Sequence, residues 1–302
     1  MKKLIPLLAA LAAAILLTLR PEAASAGVRA GLSLCAGTVI PSLFPFFVVI
    51  SLLLQLGLAD QLQGVCGPVM GPLFHMRGAC ALPLLAGLLG GYPSGARAAA
   101  SMYAQGRLTR QEAETLLGFC DNCGPGFLFG YAGAAVLGDT RLGAALCAVH
   151  ILSALITGWI VCRVRRQRGT PQALPERGGE AVPFAQALIA SARSAVESTL
   201  NVCAFVVLFQ TLAALLPGEL PWYALGALEL VSGMSVLPDG GAGFVAAAAL
   251  AGWGGISVHC QALALTVPEG LSFRAHWAGK ALQAGVSALL AAGALGIMGG
   301  IA

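Results

Sequence analysis

The chain has 302 residues, 58% of them hydrophobic and 10% charged, with a formal net charge of +4 and a mean hydropathy of +0.83. Soluble domains carry about a quarter charged residues, so this composition excludes an ordinary globular domain and indicates a polytopic membrane protein. Its arginines cluster in short loops and form no aromatic-plus-basic surface, which excludes nucleic acid as a partner.

Met1-Lys2-Lys3 followed by Leu4–Leu19 has the charge and apolar core of a signal segment, and Ala24-Ser25-Ala26 mimics a cleavage site. Ahead of further spans it reads as an uncleaved anchor, followed by a loop from Arg20 to Arg29. Gly31–Leu58 is long enough to cross a bilayer with a kink at Pro41 and Pro45. Asp60–Arg77, rich in glycine and proline, reads as a connector.

Gly87-Leu88-Leu89-Gly90-Gly91-Tyr92-Pro93-Ser94-Gly95-Ala96-Arg97 then interrupts an apolar run with four glycines, a proline, a serine and an arginine. An unpaired backbone group in hydrocarbon costs several kcal/mol, so such a break must be covered by protein or line a watery cavity. Gly106 suits a helix stop, and Thr109 with Glu112 forms a capping box for the next helix. A second interruption, Cys120-Asp121-Asn122-Cys123-Gly124-Pro125-Gly126, precedes a hairpin ending at Cys162. The nine cysteines are scattered through apolar segments and read as small buried hydrophobes; Cys120 and Cys123 lack the partner pair that a metal or redox site needs.

Arg163, Arg165, Arg166, Arg168 and Arg177 mark a cytoplasmic linker. Beyond it come a long helix from Phe184 to Leu216, with Arg193 and Glu197 placed to pair, and a turn at Pro217-Gly218-Glu219. Glu229-Leu230-Val231-Ser232-Gly233 and Gly252–Gln261 interrupt the following apolar runs, and His276–Met298 is the last span.

The second half echoes the first in order. Phe47-Val48-Val49 pairs with Phe205-Val206-Val207, Ser94-Gly95 with Ser232-Gly233, Gly124 with Gly254, Asp139 with Glu269, and His150 with Lys280. Placing Lys2 and Lys3 in the cytoplasm, with the first break re-entrant, puts Arg77, Arg97, Arg107, Arg110 and the linker inside. Asp139, Glu219 and Asp239 then fall outside, with Arg20, Arg29 and Arg141 as exceptions. The expected fold is an all-α integral membrane protein of inverted repeats, with about seven transmembrane helices and two broken or re-entrant hairpins. Its expected parts are an anchor over 1–29, a first repeat over 30–162, a basic linker over 163–183 and a second repeat over 184–302.

Gly91–Arg97, Gly106-Arg107-Leu108-Thr109-x-x-Glu112-Ala113-Glu114-x-Leu116-Leu117, Asn122 and Gly124-Pro125 resemble the nucleoside-recognition (Gate) domain membrane proteins. Glu229-x-x-Ser232-Gly233, Gly252–Gln261 and Gly279-Lys280 share that likeness, which is nearest to the sporulation integral membrane type. The resemblance implies kinship with concentrative nucleoside carriers and the gate region of ferrous-iron transporters. For the sporulation type it implies movement of a small metabolite, such as dipicolinate, across a forespore membrane.

From the residues, the expected solute site lies between the two breaks: Gly91, Tyr92, Ser94, Gly95 and Asn122 from one half, Glu229, Ser232 and Gly233 from the other. His259, Gln261 and Lys280 join it as groups able to meet a ring nitrogen or an anion. An intramembrane carboxylate is a functional group by default, which makes Glu229 the expected coupling or solute contact. Arg97 reads instead as marking the cytoplasmic edge. No Walker A, H-E-x-x-H or G-x-S-x-G string is present, so the reading is a gradient-driven transporter and not an enzyme. It needs no cofactor beyond a coupling ion, Na+ or H+. Its partners are lipid and a small polar or anionic solute, with homo-oligomerisation left open, and its place is a bacterial inner membrane of cell or forespore. The rival reading is a structural or regulatory membrane protein that uses the same fold to bind a partner.

Overall fold

A computed structural model describes residues 4–165, 183–216 and 220–299. Lys2, Lys3, the linker arginines 166, 168 and 177, and the Pro217-Gly218-Glu219 turn lie outside the described residues. Among the described residues every regular element is helical.

The helix α1 (Leu4–Leu19) meets α2 (Pro21–Leu34) at Arg20 with a bend of 103°. The expected loop over Arg20–Arg29 is therefore helix. Pro21 sits at the first helical position, where its missing N–H is no loss, and Glu22 complements the positive helix end. A π-helical turn, Cys35–Val39, leads into α3 (Ile40–Gln55). It falls just before Pro41, which cannot supply the N–H that an α turn would bring to the Gly37 carbonyl.

The larger correction is α4 (Leu58–Phe74), which replaces most of the expected Asp60–Arg77 connector and holds Pro68 and Pro72 in its interior. Neighbouring helices and local adjustment tolerate such residues within a bilayer. His75 ends α4 in the left-handed conformation, with its N–H on Gly71 O and the Met76 N–H on Met70 O. The chain then bends by 84° into a short 3-10 turn and α5 (Ala81–Gly90).

Gly91-Tyr92-Pro93 separates α5 from α6 (Ser94–Ala104). The capping box opens α7 (Arg110–Leu116), with Thr109 and Glu112 exchanging backbone bonds as expected. Residues 118–124 are unwound, a π-helical stretch covers Phe127–Val136, and Asp139 caps α8 (Thr140–Val164). Past the linker, α9 (Phe184–Leu215) is followed by α10 (Trp222–Leu228) and α11 (Leu230–Met234), which meet at Glu229. The helices α12 (Gly240–Trp253) and α13 (Gly255–Thr266) meet at Gly254, and α14 (Arg274–Gly299) follows.

Four segments are long and apolar enough to cross a bilayer: Thr140–Val164, Phe184–Leu215, Gly240–Thr266 and Arg274–Gly296. The two bent pairs raise the number to six. The protein is thus an all-α, multi-pass integral membrane protein with broken helices. Its buried side chains gather around Phe74, Met102 and Phe119, around Leu146, Phe244 and Met234, and between α3 and α9 at Phe47 and Val202. Small residues seat the helices closely: a Cβ on Gly27 or Gly31 of α2 would come 2.7 Å from the α9 backbone.

An ionic cluster ties several elements together around α7. Arg77 grips Glu112 through Nε at 2.7 Å and Nη2 at 2.6 Å, and also donates to Arg107 O. Burial pushes the Glu112 carboxyl up, but bonds from Arg77 and Thr109 outweigh it and the net shift is downward. Glu114 is likewise raised by burial and lowered more by Arg110, the Ser272 N–H and Arg165.

Candidate functional site: a cavity between two broken helices

The first break is shaped by what it presses against. Gly87, Gly91 and Gly95 recur every fourth residue and form a notch for the unwound segment 118–124. A Cβ on Gly87 or Gly95 would lie 1.8 or 1.9 Å from the Cys120 carbonyl oxygen, and one on Gly91 3.0 Å from the Gly124 nitrogen. Gly91 also has φ 78, which favours glycine. From the other side Gly279 of α14 closes on the same segment, where a Cβ would meet Gly118 O at 1.8 Å.

Unwinding frees backbone groups that must be satisfied inside the bundle. A stripe on α14 does this, with His276, Lys280, Gln283 and Ser287 at helical spacing and each 0% exposed. His276 Nδ1 lies 3.2 Å from Leu117 O, and Lys280 Nζ donates to Asp121 O at 2.9 Å and to Gln283 Oε1 at 2.7 Å. Gln283 Nε2 donates to Asn122 Oδ1, while Asn122 Nδ2 donates to Phe119 O, both at 2.9 Å. His150 Nε2 accepts the Cys123 N–H at 3.0 Å, and the Asp121 carboxylate accepts the Ala96 N–H. Ser287 pairs with Ser153 of α8.

These bonds fix tautomers. His276 donates from Nδ1, so its Nε2 accepts, and His259 Nδ1 at 2.9 Å must be the donor to it. His259 packs against Trp253 and Trp277, with its Nε2 unpartnered.

At the second break Glu229 is 3% exposed. Its Oε1 accepts the Val231 N–H, and its Oε2 accepts from Ser232 N at 2.7 Å, Ser232 Oγ at 2.9 Å and Gln210 Nε2 at 3.3 Å. These bonds are charge-assisted when the group is ionised and hold it at the start of α11. Gly233 permits α11 to close on α10, since a Cβ there would be 2.2 Å from Gly226 Cα.

Between the breaks lies a cavity of about 210 Å³, lined among others by Thr38, Gly91, Tyr92, Gly124, Glu229 and Gln261. Tyr92 is anchored by its hydroxyl on Ala251 O at 2.8 Å, and its ring carries Lys280 Nζ 4.7 Å from the centroid. A wider vestibule of about 1270 Å³ is lined by Ser33, Tyr131, Gln210, Trp222, Ser232 and Ser235. The two spaces share Thr38 and Val231. Glu229 lines the inner cavity while its partners Gln210 and Ser232 line the vestibule, so its carboxylate stands in the partition. Both π-helical stretches border these spaces, through Thr38 and Val39 and through Phe127 and Tyr131; such widened turns are frequent at functional sites.

Of the residues expected in the site, Gly91, Tyr92, Glu229 and Gln261 converge on the inner cavity, and Ser232 stands on its vestibule side. Gly95 and Gly233 serve close packing. Asn122 and Lys280 lie behind Tyr92 in the buried network, and His259 sits in its aromatic surround. Ser94 turns toward α3 instead. Sequence reasoning missed Thr38, Gln210, Asp121, His276 and Gln283. The α14 stripe carried a readable signal, four polar residues at one helical phase, whereas Thr38 and Gln210 carry none.

An all-helical membrane protein whose interrupted helices enclose a small chamber defines the class. Residues 36–217 match the family described as Gate, nucleoside recognition, and the chain belongs to that family. It is also similar to the sporulation integral membrane protein YlbJ of Bacillus subtilis (strain 168), with 29% identity over 213 residues. That alignment covers 65% of this chain and 52% of the relative, so the chain spans about half the relative's length. No solved structure matches the chain.

Proposed function

We propose that the protein is a gradient-driven transporter of a small polar metabolite, which binds between the Gly91–Tyr92 and Glu229 breaks and passes by alternating access. The observation that carries this reading is Glu229, a buried carboxylate in the partition between an inner cavity and an open vestibule. Among the described residues lining the inner cavity Glu229 is the only carboxylate or cation. Apolar walls with a few amides and hydroxyls suit a planar, ring-sized solute of nucleoside-like or dipicolinate-like size. A dianion such as dipicolinate would face Glu229 directly, so its passage requires a proton or Na+ bound there. That makes Glu229 the coupling group.

The order of elements supports two repeats over 30–162 and 184–302, since a long helix, a broken helix, a second interruption and a closing long helix occur in each; their inversion rests on the charge distribution alone. An anchor over 1–29 and a cytoplasmic basic linker over 163–183 complete the scheme, in a bacterial cell or forespore membrane. The likeness to a sporulation membrane protein is the support for the forespore.

The test is solute flux in proteoliposomes containing purified protein. Wild type should move at least one nucleoside or dicarboxylate faster than empty liposomes, with pH- or Na+-dependence that Glu229→Gln abolishes. Wild-type flux equal to empty liposomes across both solute classes would sink the transport reading. Coupling retained in Glu229→Gln would remove that residue from it.

A further inference from the structure

Behind the first break, away from the solute cavity, α6 presents a second polar face. Ser94, Arg97 and Ala98 turn toward Phe47, Ile50 and Ser51 of α3 and enclose a void of about 10 Å³ with them, room for one water-sized particle. Gly95 and Ala96 face the opposite way, against Cys120 and Asp121, which places the Asp121 carboxylate across the helix from this void.

Ser94 and Arg97 line the void, and each holds a donor without a partner. Ser94 is 1% exposed and its Oγ makes no hydrogen bond; Arg97 Nη1 is buried and also makes none. The other arm of the guanidinium, Nη2, donates to Ser194 of α9, and the group lies 5.7 Å from the Phe47 ring centroid. Among the described residues no ion pair to Arg97 is closed; Glu197, one turn beyond Ser194 on α9 and exposed, acts on it at longer range. Arg97 as a whole is half-buried, but an enclosed cationic N–H left idle costs more than a neutral one, and an anion meets it with the added charge attraction.

We propose that this void is a binding site for one monatomic anion of the chloride class, held by Arg97 Nη1 and Ser94 Oγ. The ion neutralises Arg97 and joins α3 to the hinge of the first broken helix, since Ile50 and Ser94 also flank Gly90. The inference stands independently of the transport reading.

The test uses the full chain in detergent, melted in sodium chloride, sodium bromide or sodium gluconate at matched ionic strength and followed by tryptophan fluorescence. Chloride and bromide should raise the wild-type midpoint saturably, by about 3 °C at tenfold over the dissociation constant. Ser94→Ala should weaken the halide response about fivefold, and Arg97→Gln should abolish it. Chloride-35 magnetic resonance on wild type, which needs no variant, should show line broadening that bromide competes away. Equal midpoints in halide and gluconate without line broadening would mean an ordered water only and overturn the proposal. A halide response unchanged in Arg97→Gln would overturn it as well.

Discussion

Gly95→Ala is the sharpest perturbation of the clamp on segment 118–124. In a helix the change from glycine to alanine ordinarily stabilises by about 0.5–1 kcal/mol. At Gly95 the new methyl would lie 1.9 Å from Cys120 O, 2.5 Å from its carbonyl carbon and 3.1 Å from Asp121 Cα. These are backbone atoms, so no rotamer change relieves them. The segment cannot retreat either, because Gly279 and the α14 stripe hold its far side. Overpacking costs about 1–3 kcal/mol, and the rigidity of both walls places this site at the upper end, for a net loss of about 2 kcal/mol. Gly64 in α4 is the control, since a Cβ there meets nothing within 4 Å. Melting in detergent should show Gly95→Ala about 3 °C below wild type and Gly64→Ala level with it or slightly above. A Gly95→Ala protein as stable as the Gly64→Ala protein would refute the clamp.

Glu112→Gln leaves the half-buried Arg77 without its carboxylate and should cost about 2–3 kcal/mol near neutrality, read from melting midpoints. Because the folded Glu112 titrates below its ordinary value, the stabilisation is full above that value and is lost as pH falls through the depressed one. Midpoints measured from pH 7 down to 3.5 should therefore fall less steeply in Glu112→Gln than in wild type. Lys280→Met strips Asp121 O and Gln283 Oε1 of their shared donor and should lower stability by about 3 kcal/mol by the same assay; a neutral result would show that the segment has other support.

The breaks were legible because glycine, proline and charge inside an apolar run are local anomalies. Gly91–Pro93, Cys120–Gly124, Glu229 and Gly254 all interrupt helices where the sequence indicated, and the Thr109–Glu112 box caps α7. Composition misled at α4, where prolines and glycines that end helices in water lie inside one. It misled again at Arg20–Arg29, where an alanine-rich stretch opened by proline is helical. Within the site, Tyr92, Glu229 and Gln261 reached the cavity, but Ser94 did not. One residue step turns a helical side chain by about 100°, so which neighbour Ser94 meets depends on how α6 rolls against α3 and on nothing in its own tetrapeptide.

The inner chamber is walled by two different kinds of backbone. On one side stand α3, the π-helical turn before it and α9, packed through Phe47 and Val202. On the other are the interrupted helices, of which the α14 stripe holds segment 118–124 while Glu229 reaches back to Gln210 of α9. On the proposed transport reading, the α14–segment 118–124 block would move as a unit over the α3–α9 wall, and the Glu229–Gln210 bond would break and re-form as it did. The solute would then occupy the bearing surface itself. On that reading occupancy would set the friction of the movement, and side chains along the seam, such as Thr38, Phe46 and Val206, would govern its speed without contacting the Glu229 carboxylate.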